Sequence, residues 1–251
     1  MENIFISLTR ENLEQEHLCC AIADKKHQAG VEKKKEWLSR RLEEGHVFRK
    51  LDEKGKVFIE YAPLETAWVP VEGNNFLYIY CLWVSGKFKG QGLAKALLSH
   101  CLEDAKSRGC SGVCVLSGKK KTPFLSDKKF FLKYGFSVAD SIGDYELLSL
   151  SFDGSAPRFR DNARRMTLPD ETLTFYYGLQ CPYIPNCVEQ IESYCKAAGV
   201  PYRLVAVDSL EKAKDAPCVF NNWAVFYNGE FETAHLLNEG YLKKLLERKK
   251  A

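Results

Sequence analysis

The sequence predicts an α+β fold over residues 1–152, followed across a polar stretch by a smaller α/β unit over 171–251. Three observations carry this. One nearly uninterrupted apolar strand, 76–85, runs into a glycine- and lysine-rich loop and then a helix. The elements on either side of it mix strands and helices without strict alternation. Residues 153–170, with four arginines and two prolines, interrupt the pattern as a linker or arm, and a fresh strand–helix–strand series follows.

The elements read in order as follows. Ile4 to Leu8 alternates as a strand, and Thr9 is placed to cap a helix with Leu13, Leu18, Cys19 and Ile22 on its apolar side. Residues 28–44 form a second helix, buried through Val31, Trp37, Leu38 and Leu42 and ended by Gly45. Strands 47–51 and 57–61 flank the turn Asp52-Glu53-Lys54-Gly55, and residues 66–71 resume the second strand beyond Pro63. After strand 76–85, a helix carries Leu93, Leu97, Cys101 and Ala105 on one face and closes at Gly109. Strand 112–117 follows, then a short helix from Ser126 or Asp127 to Tyr134, then strands 136–139 and 145–150. The second unit reads as strand 173–177, a helix after Cys181, strand 202–207, Val219-Phe220, strand 224–227 with an Asn228-Gly229 turn, and a last helix from Leu236.

Composition narrows the function classes. With 45% hydrophobic and 27% charged residues and a net charge of +3, nothing favours nucleic acid or a membrane as a bulk partner. The N-terminus lacks a basic start followed by an apolar stretch, and no long apolar run occurs, so a cytoplasmic protein is expected. The ten cysteines form no dense disulfide framework and suit reduced, buried thiols.

The loop Lys87-Phe88-Lys89-Gly90-Gln91-Gly92 carries the chemistry. A glycine loop entering a helix presents unbonded N–H groups and the positive end of the helix dipole, which attract phosphate. Gly90 and Gly92 let the chain approach a pyrophosphate closely. The dinucleotide fingerprint lacks its third glycine here, and no Lys-Ser or Lys-Thr follows as a nucleotide P-loop requires.

The loop resembles that of the GNAT superfamily of N-acetyltransferases, which reads Gln or Arg, two residues, Gly, one residue, Gly or Ala; Lys87 departs at the first position. The strand ending Leu82-Trp83-Val84 and the run Phe130-Phe131-Leu132-Lys133-Tyr134-Gly135-Phe136, which ends in the family's Gly-Phe, extend the resemblance over residues 1–150 or so. The resemblance implies a GNAT acyl-CoA N-acyltransferase fold with acetyl-CoA as donor. Leu82, Trp83 and Val84 would hold the pantetheine. Lys87, Phe88, Lys89, Gly90, Gln91, Gly92, Leu93 and Ala94 would hold the pyrophosphate, and Ser117 would add a contact from the next strand. The exposed-looking run Lys119-Lys120-Lys121 reads as a solvated loop, with the ribose phosphate of CoA as the alternative. The family's usual acid, a tyrosine four residues before the Gly of Gly-Phe, is replaced by Phe131, which donates no proton. Tyr134 on the same short helix is the alternative acid. Glu60, Glu65, Tyr78 and Tyr80 are candidates to line the acceptor cleft, Glu60 among them as a candidate catalytic residue, and each reads equally as a structural or surface group.

In the second unit Cys181 sits between a strand and a helix, where a helix N-terminus favours thiolate. Cys187 follows six residues on, and Cys218 comes directly after Pro217, which precedes a strand, so that Cys218 is expected to approach Cys181. The segment resembles thioredoxin-like folds, with Cys-x5-Cys in place of Cys-x-x-Cys. Redox-active thiols, a metal site and plain buried cysteines all remain open. The whole chain is similar to the YoaP-like acetyltransferases. The expected activity is acetyl transfer from acetyl-CoA to a primary amine, small-molecule or peptide, by direct attack, with no metal. A catalytically weak CoA-binding sensor or adaptor with a redox-responsive C-terminal unit is the alternative, and a cysteine-based oxidoreductase a third. The sequence leaves a homodimer open.

Overall fold

The structure, a computed structural model, describes residues 4–18, 21–22 and 24–250. Seven strands make the main sheet: β1 (Phe5–Ser7), β2 (Val47–Leu51), β3 (Val57–Pro63), β5 (Phe76–Val84), β6 (Gly112–Gly118), β7 (Ser137–Ile142) and β8 (Tyr145–Ser151). Their order is β1-β2-β3-β5-β6-β8-β7, which puts β5 in the middle. Only the β5/β6 pair is parallel within this sheet.

The composition of β5 explains its place. Phe76, Tyr78 and Tyr80 bury into one face, and Leu77 and Ile79 into the other. Helix α2 (Leu93–Ser107) lays Leu93, Leu97, Cys101 and Ala105 on the Leu77 face. It shares that face with α3 (Lys128–Lys133), whose N-cap Asp127 accepts from the amides of Lys129 and Phe130. Helix α1 (Gln28–Leu42) covers the Tyr78 face with Val31, Trp37 and Leu38.

The second unit has β10 (Leu173–Tyr177), α4 (Ile184–Ala198), β11 (Tyr202–Ala206), α5 (Leu210–Lys214), β12 (Trp223–Tyr227), β13 (Glu230–Thr233) and α6 (Glu239–Lys250). Its sheet order is β11-β10-β12-β13, with β10 and β11 parallel and the other pairs antiparallel. The Asn228-Gly229 turn closes the β12–β13 hairpin with both residues at positive φ.

Several expectations are corrected. Residues 10–16 make turns rather than a helix: the Asn12 carboxamide accepts from the Thr9 amide and donates to the Ser7 carbonyl, drawing the chain into a knot. Leu13 and Leu18 are still buried, while Cys19 lies outside the described residues. Residues 66–71 do not resume the strand. The amides of Thr66 and Ala67 bond locally to the carbonyls of Pro63 and Leu64. Only β4 (Val71–Glu72) is extended, and it pairs with β9 (Arg158–Phe159) rather than with the main sheet. Val219-Phe220 packs without strand pairing, the last helix begins at Glu239 rather than Leu236, and α5 carried no sequence signal strong enough to be expected.

Residues 153–170 form an ordered strap. Phe159 and Ala163 are buried, and the Asn162 amide donates to the carbonyls of Lys214 and Ala216 at 2.8 Å each. The two units share a core: Val219 and Ala234 join the cluster built on Phe48, Phe58 and Tyr78. Polar contacts reinforce it. Tyr78 Oη donates to Asn221 Oδ1 at 2.7 Å, Lys214 Nζ donates to the Leu64 carbonyl at 2.7 Å, and the Ala234 amide donates to Tyr145 Oη at 2.9 Å.

Gly30 marks how closely the units approach. A Cβ there would stand 2.0 Å from the Pro182 carbonyl oxygen. In a helix, Gly→Ala normally stabilises by about 0.5–1 kcal/mol. Gly30→Ala should instead destabilise, by about 1–3 kcal/mol, because backbone must move. Thermal melting checks the sign; a raised melting temperature would show that the two units do not meet there.

Candidate active site

The parallel β5/β6 pairing runs only from Phe76↔Gly112 to Ile79↔Val115. Beyond it β5 continues to Val84 bonded to β3, and β6 continues to Gly118 bonded to β8, with a single parallel bridge from Ser117 to Ser126 on its other edge. The two strands therefore part in the middle of the sheet. The cause is local: the β3/β5 register shifts between Glu60, opposite Cys81, and Tyr61, opposite Ile79, leaving Tyr80 as a bulge. A bulge bends its strand and adds twist, turning β5 away from β6. The edge of Leu82–Val84 that faces the gap has no strand partner among the described residues.

At the end of β5 the loop turns through a short 3-10 helix, Gly86–Phe88, into α2. Gly90 has φ +79 and Gly92, the N-cap of α2, φ +77, so both positions need glycine for backbone reasons. A Cβ at either would meet nothing within 4 Å, so the face of the loop is open. Among the described residues the amides of Gly90 to Ala94 find no acceptor. Open amides at a helix N-terminus are a favourable place for an anion.

The side chains of the loop are mostly structural. Phe88 is buried against Gly55, Leu93 is in the core, and Gln91 Nε2 donates to the Lys87 carbonyl at 2.7 Å. Lys87 Nζ sits 2.5 Å from Glu53 Oε1, while Lys89 and Lys119 to Lys121 are exposed. Ser117 is buried, and its Oγ donates to the Ser126 carbonyl at 2.7 Å, bracing the loop after β6.

On the α1 side of the sheet, a cavity of about 750 Å³ opens between the two units. The first unit contributes Phe58, Tyr80, Leu82 and Trp83 from the sheet and Pro123, Phe124 and Leu125 from the loop after β6. Asp24 and His27 close one side. The second unit contributes the start of α4, the Asn221-Asn222 turn and the approach to α6.

Glu60 lies in the wall of this cavity, fully buried. Its Oε2 accepts from Lys34 Nζ at 2.5 Å and from Gln180 Nε2 at 2.7 Å, and its Oε1 faces His46 Nε2 at 3.0 Å. Burial alone would push its carboxyl up; Lys34 and His46 outweigh burial and hold it below the usual glutamate range. Burial holds the His46 imidazole below its ordinary value. Glu60 is thus an ionised anchor in the cavity wall with its hydrogen bonds committed, and a poor proton acceptor. Tyr78 and Tyr80 are also committed, to Asn221 and to the Trp68 amide, and Glu65 accepts from the Asn75 amide away from the cavity.

Neither aromatic at the late-helix motif enters the cavity. Phe131 is core, and Tyr134 ends α3 with its ring on Phe130, 4.9 Å between centroids. The cysteines divide. Cys181 and Cys187 line the cavity, but Cys218 is fully buried with Ala224 and Phe226 on the opposite face of the β10–β12 sheet. The expected approach of Cys218 to Cys181 is not made. Among the described residues no group of His, Cys, Asp and Glu is placed to hold a metal ion. Burial pushes the Cys187 thiol up to about 11, so it is neutral near pH 7.

Sequence reasoning missed His27, Gln180, Asn221 and Asn222, which reach the cavity only because the second unit docks there. His27 is buried; its Nε2 is 3.4 Å from Asp24 Oδ2, its Nδ1 has no hydrogen-bond partner among the described residues, and burial lowers its pKa.

Comparisons with known proteins agree with this geometry. Residues 10–136 match the family model described as Acetyltransferase (GNAT) family, and residues 201–244 match the one described as YoaP-like. The chain is 39% identical over 245 residues to the uncharacterised N-acetyltransferase YoaP of Bacillus subtilis (strain 168), covering 96% of this chain and 98% of that one. Similar solved structures include the PaiA N-acetyltransferase of Thermoplasma acidophilum in complex with coenzyme A, at 16% identity and a TM-score of 0.43, covering 61% of this chain and all of that one. Another is the GNAT family N-acetyltransferase YhbS of Escherichia coli in complex with CoA, at 15% identity and a TM-score of 0.41, covering 63% of this chain and 90% of that one. No helix among the described residues is long and apolar enough to cross a membrane. The chain belongs to the GNAT acetyltransferase family, as an acetyl-CoA-dependent acyltransferase with a YoaP-like segment near its C-terminus.

Proposed function

We propose that this protein transfers an acetyl group from acetyl-CoA to a primary amine that enters from the cavity between the two units, by direct attack on the thioester. The parting of β5 and β6 above the open amides of Gly90 to Ala94 carries this reading most directly. The pyrophosphate would lie on those amides, and the pantetheine along the unpaired edge of Leu82–Val84. The thioester would then meet the cavity that begins at Leu82 and Trp83. Residues 1–152 would be the acetyltransferase unit, 153–170 its strap, and 171–251 a thioredoxin-like unit; the strand order β11-β10-β12-β13 and its senses support that last assignment. The thioredoxin-like unit serves here as a wall of the acceptor site. Burial keeps the Cys187 thiol protonated, and Cys218 packs on the other face of the sheet from it.

An amine attacks only when neutral, so a base must take its proton. His27 fits that role better than Glu60: burial keeps its imidazole neutral at pH 7, it lines the cavity, and a proton taken at Nε2 would lie beside the Asp24 carboxylate. With Phe131 buried and Tyr134 outside the cavity, the departing thiolate takes its proton from water. CoA should raise the melting temperature of the purified protein, and acetyl-CoA should release free thiol only with an amine present. His27→Asn should lower kcat on the order of 100-fold without changing that CoA-induced shift. Absence of any CoA-induced shift would sink the assignment.

A further inference from the structure

The two walls of the cavity differ in chemistry. The first unit offers apolar and aromatic groups together with charged ones, Asp24, Lys26, Lys34, Lys56 and Glu60, and two of its rings stand exposed at the mouth: Trp83 is 47% and Phe124 57% exposed. Tyr241 of α6 faces the same mouth, also 47% exposed. Phe124 is held at φ +63, a conformation that costs a bulky residue about 1–3 kcal/mol. The rest of the 119–126 loop is braced onto β6 through Ser117. Three rings from three elements thus converge on one opening.

The opposite wall is built of carboxamides. Asn186, Gln190, Asn221, Asn222 and Asn238 line it, and none of the second unit's lining residues is charged. Half of their hydrogen-bonding capacity is used inside the fold. Gln190 donates to Asn186 Oδ1, Tyr78 to Asn221 Oδ1, Asn222 to Gln180 Oε1, and the Tyr241 amide to Asn238 Oδ1. These bonds fix the orientation of each amide and leave the NH2 groups of Asn186, Asn221 and Asn238 and the carbonyl oxygens of Gln190 and Asn222 uncommitted. Such a set reads neutral donors and acceptors on a ligand. A polycation would find no carboxylate on this wall; of the two across the cavity, Glu60 is paired with Lys34 and Asp24 lies beside His27.

We infer that the acceptor is a small amine with a flat apolar face, carried against the aromatic mouth, and with neutral hydroxyl or amide groups, read by the carboxamide wall. This rests on the acetyltransferase assignment above and names its substrate class. An amino sugar and a hydroxyphenyl-alkylamine share that chemistry, and a turnover panel separates them.

The test measures thiol release from acetyl-CoA by the full chain with four acceptors: an aminohexose, a hydroxyphenyl-alkylamine, a linear polyamine and a peptide with a free N-terminus. One of the first two should exceed both of the others at least 100-fold in kcat/KM. Asn186→Leu and Tyr241→Ala should each raise the KM for that acceptor at least tenfold and leave the KM for acetyl-CoA within twofold. The inference is overturned if the polyamine or the peptide is the best acceptor, or if the variants shift the KM for acetyl-CoA instead. It is equally overturned if CoA stabilises the protein but neither ring amine is acetylated. Failure of CoA to stabilise the protein at all would remove the acetyltransferase assignment itself.

Discussion

Gly92→Val should give a folded protein that has lost CoA. The residue sits at φ +77 at the N-cap of α2, and a β-branched side chain there is strained by about 1–2 kcal/mol. In a chain of this size that lowers the melting temperature by a few degrees. The Cβ itself meets no atom of the protein, so the fold loses little more. What the side chain fills is the space in front of the amides of Gly90 to Ala94. Hydrogen bonds from amides to a charged group contribute about 1.5–3 kcal/mol each, and losing two of them lowers affinity 100-fold or more. Calorimetric titration of CoA into wild type and variant measures this. Lys87→Ala is the matching control. Lys87 is exposed and pairs with Glu53, so its loss should change affinity less than tenfold. The reverse order of effects would mean that lysine charge, not the glycine-shaped backbone, holds the phosphate.

Lys34→Met should be the most destabilising single change in the cavity wall. It leaves the Glu60 carboxylate fully buried with only His46 and Gln180 as partners. Breaking a buried pair from one side costs about 3–5 kcal/mol, equivalent to a fall on the order of 10 °C in melting temperature. Adding Glu60→Gln removes the stranded charge and should recover more than half of the loss. If the double variant is as unstable as Lys34→Met alone, the carboxylate is not the source of the cost. The pH dependence follows from the same group. Glu60 is held below its ordinary 4.5, so its contribution is fully present above pH 4.5 and is lost as pH falls through the lower folded value. His46 is buried neutral with its pKa below 6.5, so the unfolded chain takes up a proton first and stability also falls on acidification from pH 6.5. Wild type should therefore lose stability in two stages below neutrality. In Lys34→Met the carboxyl is no longer held low, and the second stage should shrink.

The strand, glycine loop and helix on which the proposed cofactor site rests were legible because their signals are local. Gly90 and Gly92 at fixed spacing, a buried strand before them and a helix after them need no long-range contact to be read. Strand β5 was equally plain, because a strand buried on both faces has no polar positions to obscure it. Reading stopped where position depends on partners distant in sequence. Glu60 looked like a candidate catalytic residue, since nothing nearby announces that Lys34, His46 and Gln180 converge on it from three other segments. The acceptor wall was invisible for the same reason: Asn221 meets Tyr78 across 143 residues of chain. The strap 153–170 read as a linker by composition, yet it is fastened by the β4/β9 pair, by Asn162, and by the Met166 and Leu168 amides bonded to the Pro217 and Gly229 carbonyls. The turns at 64–70 defeated the strand pattern because the amides of Thr66 and Ala67 find partners within three residues. Cysteine spacing misled in the second unit, where Cys218 is close to the strand that separates it from Cys187 but on its other face.

A crystal structure with CoA bound tests the central claim most directly. The pyrophosphate should lie within hydrogen-bonding distance of the amides between Gly90 and Ala94. The pantetheine should follow Leu82–Val84 through the gap between β5 and β6, with the sulfur opening into the cavity shared with His27, Phe124 and Asn222. CoA bound elsewhere, or a sulfur turned away from that cavity, would contradict it.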